Sequence, residues 1–199
     1  MALLRNRGLT EDERLRLPPG QHVVRNFPVL HAGSVPYREA PAGWDFRIWG
    51  KVARPMRWSA EEFRALPTVR VICDIHCVTS WSKLGTEWEG VPLSLVLDRV
   101  EPSPRATHVL AHAEEGYTAN LPLEALRDDD VLLAYRFDGR ELEPEHGRPL
   151  RLLVPSRYFW KSAKWLRGLE LLDRDQLGFW ERYGYSNGAD PWREERYAF

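Results

Sequence analysis

Val69-Arg70-Val71-Ile72-Cys73-Asp74-Ile75-His76-Cys77-Val78-Thr79-Ser80-Trp81 reads as a strand running into a turn. Val69, Val71, Cys73, Ile75 and Cys77 share one face, and their neighbours are polar except at Ile72. Upstream, Trp44, Phe46 and Ile48 alternate with polar residues and predict another strand. Between the two, Ser59-Ala60-Glu61-Glu62 is a capping box that opens a short helix to about Leu66, where Pro67 stops it. Downstream, Pro92 precedes a short helix over 93–100. Segments 109–113 and 117–121 flank Glu114-Glu115-Gly116 as a hairpin, with one helical turn following over 122–126. Segment 131–137 and Glu141-Leu142 flank Asp138-Gly139, a strong short hairpin signal. Segments 150–154 and 164–172 add two strands. Many short strands, few short helices and no regular βαβ alternation predict a mixed α+β domain.

Length and composition set further bounds. A chain of 199 residues predicts one domain with a large enough core to fold unaided. Residues 1–20 are polar, end in Pro18-Pro19-Gly20, and read as a lead-in arm to a domain over 21–199. The net charge of -1 offers no overall basic field for nucleic acid. No run approaches the roughly 20 apolar residues of a membrane span, and the charged N-terminus lacks a signal-peptide pattern. On a strand, Cys73 and Cys77 stand roughly 13 Å apart, beyond the about 4.4–6.8 Å of a disulfide. Two free thiols suit a reducing compartment, and a cytoplasmic location is expected. Nine tryptophans predict a deep core or a lined cavity. The tail over 178–199 is too aromatic for a solvated segment and should pack back on the body.

Cys77 has four readings from its residue type alone. It is a buried strand cysteine, part of a zinc set with Cys73 and His76, a single thiolate on a softer redox metal, or a nucleophile with a base such as His76 or His112. The zinc reading has the wrong spacing, since a strand turns His76 away from both cysteines. Arg148, Arg151, Arg157, Lys161, Lys164 and Arg167 crowd into twenty residues and interleave with Tyr158-Phe159-Trp160. Each alone suits a solvated face; together they suit an anionic, planar ligand held by charge and stacking. Single-stranded nucleic acid fits the same pattern, but no nucleic-acid module signature accompanies it. Tyr117 in its turn is a half-buried packing residue or a hydroxyl donor, and His146-Gly147 lies in a loop.

In order and approximate spacing, eight pieces of this chain resemble the molybdopterin-binding catalytic domain of the sulfite oxidase family. They are Val24-Arg25-Asn26; Cys77 with Trp81; Trp88-Glu89-Gly90-Val91-Pro92-Leu93; Gly116-Tyr117; Leu121-Pro122-Leu123; and Val131-Leu132-Leu133-Ala134-Tyr135. His146-Gly147 with Pro149 and Arg151, and Val154-Pro155 with Lys164-Trp165, complete the set. The resemblance runs from about Gln21 to the tail. It implies a mixed, barrel-like α+β fold with short helices around one molybdopterin, with Cys77 as the protein ligand to molybdenum; tungsten has similar ligand preferences. Asn26, His146, Arg151, Ser162 and Lys164 match positions that hold the pterin and its phosphate. Arg25 and Tyr117 match residues that face the substrate.

The implied reaction is oxygen-atom transfer to or from a small oxyanion or S-oxide, with electrons exchanged through an external electron-transfer protein. No Cys-x-x-Cys-His is present, so no haem is expected. Where sulfite oxidases carry an arginine just past the thiolate, this chain reads Thr79-Ser80-Trp81-Ser82-Lys83, and lysine lacks the two-pronged fork. Where the bacterial methionine sulfoxide reductases carry an acidic residue two past the thiolate, this chain has Thr79. A cofactor-free binding module on the same fold, or a thiol enzyme built on Cys77, is the alternative.

Overall fold

The computed structural model describes residue 6 and residues 8–198. Among the described residues, eleven strands form two sheets and four short α-helices accompany them. The strands are β1 (His22–Val23), β2 (Asp45–Gly50), β3 (Met56–Ser59), β4 (Val69–His76), β5 (Trp81–Pro92), β6 (His108–Ala113), β7 (Thr118–Pro122), β8 (Leu132–Phe137), β9 (Arg140–Glu141), β10 (Arg151–Leu153) and β11 (Leu166–Leu172). The helices are α1 (Glu11–Leu15), α2 (Ala60–Arg64), α3 (Leu93–Val100) and α4 (Phe179–Arg182). The first sheet runs β1-β5-β8-β10, with β4 also on β5 and β9 on β8; the second runs β3-β2-β11-β6-β7. The pairs β1–β5 and β2–β11 are parallel and the rest antiparallel.

The expected local signals appear where their chemistry places them. Ser59 and Glu62 form the reciprocal capping box of α2. Asp138 and Gly139 both take positive φ and turn β8 into β9, as a two-residue hairpin requires. Helix α3 buries Leu93, Val96, Leu97 and Val100, one stripe at helical spacing.

At β8 and β10 the first sheet is buried on both faces. Along β8, Leu133 and Tyr135 join the main core against the second sheet and α3, while Leu132 and Ala134 join a second cluster. That second cluster holds Ile75, Cys77, Trp81 and Trp88. Burial on both faces explains why β8 reads as an unbroken apolar run.

Strand β5 is the longest and the sequence reading missed it. Its partners jump from Cys73↔Thr86 to Ile75↔Lys83, so Leu84 and Gly85 oppose Asp74 alone. Gly85 takes φ 63 and donates its N–H to Asp74 at 2.8 Å, a glycine-type bulge. The extra residue turns Trp81 and Trp88, seven positions apart, onto the same face. It also interrupts the period-2 pattern by which a strand is recognised.

The arm is more ordered than a polar lead-in. Thr10 and Glu13 cap α1, and Arg16 grips Asp74 with two donors at 2.9 and 2.5 Å. The tail packs back as expected: Lys161 Nζ meets Glu181 of α4 at 2.7 Å, both side chains 1 % exposed, and also bonds the carbonyl and amide oxygens of Asn120. Removing one partner of such a pair strands a buried charge. Lys161→Met is therefore expected to lose about 3–5 kcal/mol of stability, seen as a lowered midpoint in urea unfolding.

Candidate active site

A cavity of about 470 Å³ opens beside the second face of the first sheet. Cys77 and Trp81 reach it from the β4–β5 turn, Tyr117 from the β6–β7 turn and His146 from the turn before β10. Arg151 enters from β10, and Ser162 and Lys164 from the connection to β11. Six of the eight residues anticipated as site residues thus line one space, drawn from five places in the chain.

Cys77 sits at the mouth of a closed turn. Its N–H bonds the Trp81 carbonyl at 2.8 Å, and its carbonyl accepts from Ser80 N–H at 3.0 Å, with Ser80 at φ 71. The thiol is 9 % exposed and lies 3.2 Å from the Thr79 hydroxyl. Burial pushes its pKa up, opposed by Thr79 and by the charge of Arg196. The two candidate bases are engaged elsewhere: His76 with Ser82 at 2.8 Å and His112 with Glu170 at 3.0 Å. Among the described residues no three His, Cys, Asp or Glu side chains converge on a metal. The zinc set is therefore not assembled, and a metal at Cys77 must draw its other donors from a cofactor.

Arg151 is the dominant charge. It is 1 % exposed. Its guanidinium donates to the carbonyls of His146 (2.8 Å) and Ser162 (3.0 Å) and lies over the rings of Phe159 and Trp88. No carboxylate pairs with it among the described residues. Burial lowers its pKa to about 9, so it remains a cation at neutral pH. Lys164 Nζ donates to the carbonyls of Leu30 and Glu145. Burial, then Arg151, brings its pKa down to about 7. Burial and the same two cations hold His146 neutral, at about 4. The ring of His146 stacks on Phe27 at 3.9 Å, and its Nε2 is buried without a partner. Trp81 Nε1 is likewise unpartnered. Ser162 accepts Val154 N–H at 2.9 Å.

Tyr117 donates its hydroxyl to the Trp160 carbonyl at 2.7 Å. Burial, reinforced by Glu181, raises its pKa, and the phenol keeps its proton.

Arg25 and Asn26 lie outside the cavity. Strand β1 ends at Val23, and the chain then turns Arg25 out toward Glu13 of the arm at 3.7 Å, with its side chain 86 % exposed. Asn26 is exposed beside it, and Lys83 Nζ bonds the Arg25 carbonyl. The crowded cations also divide. Lys161 is consumed by Glu181, and Arg167 by Asp45 and Glu114. Only Arg151 and Lys164 of the six line the cavity. Phe27 was missed, and its place directly after Arg25-Asn26 was the available signal.

A buried arginine and a half-buried lysine with no ion-pair partner among the described residues, two unpartnered N–H or ring-nitrogen sites and aromatic walls suit an anionic, planar ligand. In the cofactor-free protein, folding holds Lys164 neutral above about pH 7, while the unfolded chain stays charged to its usual 10.5. The unfolded state binds more protons across that window, so stability rises with pH there. Urea unfolding at a series of pH values should show this rise, flattened in Lys164→Met.

A family model described as the oxidoreductase molybdopterin binding domain matches residues 32–180. Oxidoreductase YuiH of Bacillus subtilis is 45 % identical over 188 residues, covering 94 % of this chain and 95 % of that one. The protein-methionine-sulfoxide reductase catalytic subunit MsrP of Gluconobacter oxydans is 30 % identical over 174 residues, 76 % of this chain and 55 % of that one. The chain thus spans about half of such reductase subunits. Among solved structures, sulfane dehydrogenase SoxCD of Paracoccus pantotrophus superposes with a TM-score of 0.64 at 21 % identity, over 90 % of this chain and 57 % of that one. With the fold shared and the family model spanning most of the chain, this protein belongs to the molybdopterin-binding oxidoreductases of the sulfite oxidase type.

Proposed function

We propose that the chain binds one molybdopterin with molybdenum in this cavity and reduces a neutral S-oxide, drawing electrons from an external electron-transfer protein. The observation that carries this reading is the division of the cavity. Arg151 and Lys164 form no ion pair among the described residues, and Glu114 and Glu115 stand elsewhere on the lining, while much of the remaining wall is aromatic and apolar, including Phe27, Trp165, Phe179 and Trp180.

Cys77 would supply the protein thiolate to the metal, a soft donor for a soft redox centre. Arg151 and Lys164 would hold the phosphate, His146 Nε2 the pterin, and Ser162 the loop between them. When bound, the cofactor supplies a metal able to exchange an oxygen atom with a change of two in oxidation state. Overall, the S-oxide takes up two electrons and two protons and leaves as the sulfide and water.

Tyr117, kept protonated by burial, is suited to donate a hydrogen bond to the departing oxygen once it turns from the Trp160 carbonyl. Arg25 is exposed, Lys83 is half-buried and held on the Arg25 carbonyl, and neither lines the cavity, so neither offers a fork at the apolar wall. A doubly charged sulfite would therefore be desolvated there without a partner. The sulfoxide-reductase relatives favour the same substrate class.

Elemental analysis of the purified protein should find molybdenum at about one atom per chain, with tungsten as the distinguishable alternative. Cys77→Ser should abolish reduction of methionine sulfoxide and dimethyl sulfoxide by a reduced dye while circular dichroism stays unchanged. Full activity in that variant, or a metal-free active protein, refutes the reading. Replacing Arg151 and Lys164 together by Met should lower pterin content, and unchanged content would remove the phosphate assignment. Faster turnover of sulfite than of any S-oxide would overturn the substrate.

A further inference from the structure

The Cys77 turn is held from outside by both ends of the chain. From the N-terminal side, Gln21, 2 % exposed, donates its side-chain amide to the Cys77 carbonyl at 3.0 Å. From the C-terminal side, Arg196 donates to the Val78 carbonyl at 2.5 Å. The same guanidinium reaches the Pro19 carbonyl at 3.4 Å and lies over the Tyr158 ring at 5.1 Å. Its backbone is fixed in turn, because the Arg196 carbonyl accepts Ser186 N–H, and Tyr158 N–H bonds the Ala189 carbonyl. Gly20 makes the approach possible. It takes φ 71, and a Cβ there would stand 2.6 Å from the Glu194 carboxylate and 3.1 Å from the Arg196 guanidinium.

We infer that Arg196, with Gln21, is a positioning residue for Cys77: the two side chains lock the backbone carbonyls of Cys77 and Val78 and so fix where the thiol points. Neither residue lies within the segment 32–180 that the family model covers, and neither lines the cavity. The inference rests on the reading of Cys77 as the metal ligand. With both carbonyls held, the Cα–Cβ direction of the ligand is fixed, so the protein limits where the thiolate can meet the metal. The positive charge of Arg196 beside the turn acts on the same sulfur, favouring electron density there.

The test uses the loaded enzyme and the electron paramagnetic resonance signal of its one-electron-reduced metal, which reports metal–sulfur geometry independently of turnover. In Arg196→Met, the metal content should stay near that of the parent, while the resonance positions shift and kcat falls about tenfold with KM nearly unchanged. Arg196→Lys keeps the charge and one donor and should return the signal most of the way. Gln21→Leu removes the other tie and should shift the signal as well, which keeps the question answerable if Arg196→Met does not fold. A parent-like signal in the folded Arg196 and Gln21 variants, beside an altered one in Cys77→Ser, overturns the positioning role and leaves the ligand intact. A parent-like signal in Cys77→Ser overturns the ligand assignment and this inference with it.

Discussion

The guanidinium of Arg151 is the tie on which the cavity depends. A buried arginine is tolerable only if its donors are used and its charge is met or screened. Here two donors are spent on the carbonyls of His146 and Ser162, and two aromatic rings cover the cationic plane. Those contacts draw the turn before β10 and the connection to β11 together over the first sheet. Without them, His146 and Lys164 would belong to separate loops. The arrangement leaves one requirement unmet, an anion. The same residue therefore shapes the site and calls for its occupant.

The first sheet does two jobs. One face closes the core with the second sheet and α3, through Leu133, Val91 and Leu152. The other carries Cys77, Trp81 and Trp88. The bulge at Leu84-Gly85 is what brings the two tryptophans to the same side, and Asp74, which closes that bulge, also anchors the arm through Arg16. A single acidic side chain thus couples the N-terminal helix, the register of β5 and the approach to the Cys77 turn.

The fold was legible where the chain speaks locally. The Ser59–Glu62 cap, the Asp138-Gly139 turn and the Glu114-Glu115-Gly116 turn are decided by a few neighbouring residues. They stand where their chemistry predicts. Strand β5 was not legible, because its bulge breaks the alternation that marks a strand. The short helix α1 was read as a polar arm because it buries nothing of its own. In the site, residue types pointed to the Cys77 region and the cation run but could not divide the cations. Lys161 and Arg167 look like Arg151 in sequence; only packing shows that Glu181, Asp45 and Glu114 have already claimed them. Arg25 stands outside the cavity for a related reason: two residues of β1 cannot steer the side chains that follow them.

The clasp around Cys77 joins residues 177 positions apart at Arg196 and Pro19, and 118 apart at Arg196 and Val78. Contacts of such long range form late, since the chain must close a large loop before they reward it. A domain made from its N-terminus outward on the ribosome has its sheets available before residue 196 emerges. The thiol turn is then the last part to be made rigid. The orientation of the thiol is thus settled only after both sheets are in place, by contacts between segments that lie far apart along the chain.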